Sequence, residues 1–104
     1  MRAMTVVEGQ LVVLVGRLDG AGAAVAREAL HNAVGAGVGE LVVDLAGVEL
    51  LDATGLGVLV AVHRRARSAG RRLVLRDAAP RVVRILALTR LNRVIPMEQA
   101  AVPA

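Results

Sequence analysis
The chain has no cysteine, no lysine and no aromatic residue, and only 3 of its 104 residues are proline. Without cysteine there is no disulfide and no thiolate chemistry, and the composition suits a reducing cytoplasm. Without Phe, Tyr or Trp the chain lacks the aromatic side chains on which nucleic-acid bases usually stack, which argues against direct nucleic-acid binding. No apolar run reaches the roughly 20 residues that a membrane span needs. The longest, 56–62, contains Gly57 and ends at His63-Arg64-Arg65. The first residues continue into a strand-like pattern instead of a long apolar signal core.

What is present is aliphatic. The hydrophobic fraction is 56%, all of it from aliphatic residues and Met. Such a chain can fold around a modest core of small and β-branched side chains, and we expect residues 1–104 to form one domain. All 13 basic residues are arginine, and the net charge is only +4. The arginines are scattered, with one concentration at Arg64, Arg65, Arg67, Arg71 and Arg72. An acidic partner or nucleic acid would read such a patch, but genomic base composition is the better account of the arginine usage.

Periodicity predicts strands at 5–8 and 11–15 joined by a Gly9-Gln10 turn. The unbroken run of Val12, Val13, Leu14 and Val15 suggests a strand covered on both faces. Asp19-Gly20 can cap a helix over 21–34, with Val25, Ala26, Ala29, Leu30, Ala33 and Val34 as its apolar stripe. A strand at 41–45, a loop at 46–51 and a helix over 53–69 follow. Then come a strand at 73–75, a helix over 81–89 with Pro80 in its first turn, a last short strand at 94–97, and a frayed tail from residue 99 to 104. Strands alternating with helices indicate an α/β domain.

Enzymatic candidates are thin. His31 and His63 read as helix-boundary residues, and Ser68 is the only serine, with no base placed by any motif. No spacing suits a metal. Asp19, Asp44, Asp52 and Asp77 could meet at one end of the sheet, but Asp44 and Asp77 read better as turn or cap residues. We expect no enzymatic activity, no cofactor and no metal.

The most informative segment is Asp52-Ala53-Thr54-Gly55-Leu56-Gly57. Asp52 is a good N-cap, and two glycines in a first turn cost helix stability, so they need another reason to be there. A helical wheel places Val58, Leu59, Val62 and Ala66 toward the sheet, and Gly57, Val60, Ala61 and Arg64 outward. Glycines, a helix start and a flat apolar ledge together suggest a surface for another protein.

This segment resembles the signature of the STAS domain family, named for sulphate transporters and anti-sigma factor antagonists. Gly16-Arg17-Leu18-Asp19 is similar to that family's second landmark. The resemblance covers about 5–97 and implies a small sheet of about four to five mixed strands with three or more helices packed on it. It also implies a cytoplasmic anti-sigma factor antagonist that captures an anti-sigma factor, in the family often a serine kinase, and so frees a sigma factor. The contact residues it implies are Asp19, Asp52, Ala53, Thr54, Gly55, Leu56, Gly57, Val60 and Arg64. The family's usual phosphoserine position is Ala53, which has no hydroxyl, so Thr54 is the one neighbouring candidate for phosphorylation. A second STAS role, the small cytosolic subunit of a lipid-transport ATPase, fits the same residues.

Overall fold
A computed structural model describes residues 1–100. Strand β1 (Arg2–Val7) runs antiparallel to β2 (Leu11–Leu18). Helix α1 (Ala23–Gly35) then crosses to β3 (Glu40–Leu51), α2 (Ala53–Ser68) to β4 (Arg72–Arg76), and α3 (Pro80–Leu88) with a 3-10 turn (Leu91–Arg93) to β5 (Met97–Glu98). The five strands lie in sequence order, with β2 through β5 parallel. Each parallel step needs a crossover, and here a helix supplies it. The architecture is the expected α/β sheet with three helices.

One apolar cluster holds the elements together. Val12, Leu14 and Leu18 of β2, Leu41, Val43 and Leu45 of β3, and Leu73 and Leu75 of β4 meet Ala26 and Leu30 of α1 and Val58, Leu59, Val62 and Ala66 of α2. The α2 face expected to pack inward is therefore the buried one. Burial alternates along β2, with Val13 and Val15 only half-buried, so the expectation of full cover on both faces is corrected. On β3 and β4 the residues between the core positions pair across the ladder as Glu40–Arg72, Val42–Val74 and Asp44–Arg76. The outer two close ion pairs of 2.7 and 3.1 Å.

Several boundaries differ from the sequence-based expectation. Residues 46–51 are not a loop but the second half of β3, which pairs with the far end of β2 through two register shifts. Bulges break the period of two, so the alternation that would have marked this stretch as strand is absent from the sequence. Helix α1 starts two residues later than expected, and Val25 points outward at 46% exposure while Ala23 takes the inward place. The last strand is displaced from 94–97 to Met97–Glu98. Pro96 has no N–H to donate, and pairing there begins with its carbonyl, which accepts from Leu75 N at 2.9 Å. Residues 101–104 of the expected frayed tail lie outside the described residues.

Candidate functional site
Parallel register brings the two landmark segments together. Leu18 pairs with Leu51, so Asp19 and Asp52, which follow them, stand at neighbouring strand ends. Ligands of open α/β sheets commonly bind outside this carboxyl end. Each aspartate organises a helix start. Asp19 Oδ1 accepts from the N–H groups of Ala21 and Gly22 at 3.1 and 3.0 Å, and Oδ2 receives Arg17 Nε at 3.1 Å. The Gly22 N–H, chief among these bonds, holds the Asp19 carboxyl below its ordinary range. Asp52 has extended backbone, and its Oδ1 accepts from Gly55 N at 2.9 Å as the N-cap of α2.

The two glycines of α2 have different explanations. Gly55 is buried, and a Cβ there would meet the Leu18 carbonyl, Leu51 Cδ1 at 2.8 Å and Leu18 Cγ at 2.9 Å. It permits the close approach of α2 to the end of β2. As a surface contact residue it is therefore corrected: it lies beneath the surface and positions the helix. Leu56 is half-buried against the core. A Cβ on Gly57, by contrast, would meet nothing within 4 Å. Asp52, Ala53, Thr54, Gly57 and Arg64 are exposed and Val60 is half-buried; helical spacing sets Ala53, Gly57, Val60 and Arg64 along one face of α2, with Thr54 about 100° round the helix from Ala53.

The other candidates fall elsewhere. Asp44 pairs with Arg76 and also accepts from Ala46 N, while Asp77 lies 3.8 Å from Arg76 Nε. The four aspartates thus form two separate pairs, and among the described residues no group of three or more His, Cys, Asp or Glu could hold a metal ion. His31 and His63 are half-buried, and His31 Nε2 and both ring nitrogens of His63 have no hydrogen-bond partner. Burial lowers both pKa values, helped by Arg65 and Arg27 near His31 and by Arg67 and Arg64 near His63.

The arginine concentration divides. Arg72 pairs with Glu40, and Arg71 is only 5% exposed. Its guanidinium donates to the carbonyls of Gly9, Ala33, Val34, Val38, Gly39 and Glu40. Sequence reasoning gave this residue no such part, and nothing in its neighbourhood separates it from the other arginines.

The family model described as "Mlab, STAS domain" matches residues 2–97. No curated protein sequence matches the chain significantly. Among solved structures, a proposed anti-sigma factor antagonist from Thermotoga maritima is similar at a TM-score of 0.77 and 24% identity, over 93% of this chain and 84% of that one. The anti-sigma factor antagonist SpoIIAA in its unphosphorylated form matches at 0.70 and 17%, over 97% and 88%. An anti-sigma-factor antagonist (STAS) domain protein from Planctomyces limnophilus matches at 0.74 and 20%, over 96% and 90%. At these identities the likeness establishes the fold. In the described residues no helix is long and apolar enough to cross a membrane.

Proposed function
Because the chain belongs to the STAS domain family, we propose that it is a non-enzymatic, cytoplasmic binding module, an anti-sigma factor antagonist that captures an anti-sigma factor and so frees a sigma factor. The observation that carries this reading is Gly57. It costs the helix about 1 kcal/mol relative to alanine, and among the described residues nothing beyond its own helical turn comes within 4 Å of the place its Cβ would occupy. A partner backbone lying close against α2 supplies the missing reason. Asp52, Ala53, Thr54, Val60 and Arg64 would contribute to the same contact, with Asp19 beside it.

Regulation by phosphate is altered at this surface. Ala53 cannot be phosphorylated. Thr54 is exposed but points about 100° away around the helix, so a kinase recognising position 53 does not place it well. A phosphate at a helix N-terminus is compatible with the dipole, and the fold itself raises no barrier. Intact-mass spectrometry after incubation with the cognate kinase and ATP is expected to show no stoichiometric modification of the natural chain. One phosphate should appear in Ala53→Ser. Complete modification at Thr54 would refute this.

The lack of a hydroxyl at position 53 also favours a second reading, constant docking on a subunit of a lipid-transport ATPase, which needs no switch. Co-purification from native cells separates the two readings. Recovery of an anti-sigma factor supports the first, and recovery of an ATPase subunit replaces it.

A further inference from the structure
The charge of this chain is unevenly distributed. Residues 78–97 contain Arg81, Arg84, Arg90 and Arg93 and no acid, so this segment alone accounts for the formal +4, and the remaining 9 arginines are balanced by 9 acids. All four arginines are exposed. Ion pairs among the described residues engage Arg17, Arg72 and Arg76 only, and none of the four donates a side-chain hydrogen bond there. The same segment carries Val83, Leu88 and Val94, exposed at 39%, 77% and 53%. Helix α3 buries Val82 and Leu86, so Arg81, Arg84 and Leu88, spaced i, i+3 and i+7, share its outer face. Pro80, Arg81 and Arg84 line a shallow hollow at the start of α3.

We propose that the α3 face and the 3-10 turn after it form a peripheral docking surface for an anionic phospholipid bilayer. Charge complementarity selects the class of partner. A bilayer surface attracts basic residues through its average potential and needs no fixed side-chain geometry, which suits guanidiniums that no side-chain hydrogen bond or ion pair among the described residues holds in place. Leu88 and Val94, exposed in the same segment, would enter the boundary between headgroups and acyl chains. Single-stranded nucleic acid would call for aromatic stacking side chains, of which the chain has none. Association through four arginines and a few aliphatics is reversible and sensitive to salt.

The test is co-sedimentation of the full chain at low salt with vesicles of phosphatidylglycerol and phosphatidylcholine in equal parts, beside vesicles of phosphatidylcholine alone. The protein should pellet with the anionic vesicles only and be released by added salt. The double variant Arg81→Gln/Arg84→Gln should partition about 25-fold more weakly, about five-fold for each charge, and Leu88→Ser should also weaken binding. Arg65→Gln/Arg67→Gln, with the same net charge, serves as the control and should change partitioning by less than about two-fold. All five positions are exposed, and circular dichroism verifies that each variant is folded. Failure to pellet with anionic vesicles would overturn the proposal, including the case in which an acidic protein binds this face instead. An equal loss in the control pair would overturn it too, by showing that only total charge matters.

Discussion
The amino ends of the parallel strands and their carboxyl ends are held by opposite means. At the amino ends the order is internal. Arg71 is buried with no carboxylate partner among the described residues, and its charge is met by carbonyls from the β1–β2 turn, the last turn of α1 and the start of β3. The last-turn carbonyls are the negative end of a helix dipole and suit a cation. Gly9 and Gly37 touch backbone to backbone nearby, with no room for a Cβ on either. At the carboxyl ends, Asp19 and Asp52 satisfy their helix starts, and beyond them Ala53, Thr54 and Gly57 face solvent. The contrast separates polar groups that the fold uses from surface features that the fold leaves unexplained.

The largest expected effect removes the anchor of the closed end. Arg71→Met strips several buried carbonyls of their donor at once, and each such loss costs about 1–3 kcal/mol. We expect a total of at least about 3 kcal/mol by urea unfolding, with Arg71→Lys recovering only part because one ammonium cannot span the same acceptors. A loss below about 1 kcal/mol would mean that water replaces the guanidinium.

The two glycines sharpen the comparison within a single helical turn. Gly55→Ala forces a methyl group into the Leu18 carbonyl and should destabilise by about 2 kcal/mol. Gly57→Ala adds a methyl in open space and should stabilise by up to about 1 kcal/mol. Equal signs in the two unfolding curves would break the distinction. Asp52→Ala loses the cap and should cost about 1 kcal/mol.

The smallest effect is on pH. His31 and His63 have folded pKa values below the ordinary 6.5. The unfolded chain therefore takes up protons that the folded chain resists, and stability declines as pH falls below that value, until the folded pKa is reached. Asp19 acts lower: its carboxyl is held below 3.8, and its contribution, complete above that value, is lost as pH drops through its folded pKa. Replacing His63 with Gln should flatten the decline between about pH 7 and 5. An unchanged slope would assign it to other groups.

Much of the fold was legible in the sequence because local signals agreed with the tertiary outcome. The helical spacing of Val58, Leu59, Val62 and Ala66, the cap at Asp52 and Pro80 in the first turn of α3 all reappear. The second half of β3 was not legible, since its pairing depends on bulges against β2 that carry no local signature. Nor was the inward place of Gly55, because sequence alone does not separate a glycine that admits the neighbouring strand from one that faces open space. Arg71 was hidden for the same reason: its acceptors come from segments 31 to 62 residues away.

We propose that the open strip along α2 serves a partner and not the fold. Urea unfolding of Gly57→Arg, together with its calorimetric titration against the co-purified anti-sigma factor, tests it most directly. The expected result is an unfolding midpoint at or above that of the natural chain and complete loss of capture. A folded Gly57→Arg protein that binds with unchanged affinity would contradict it.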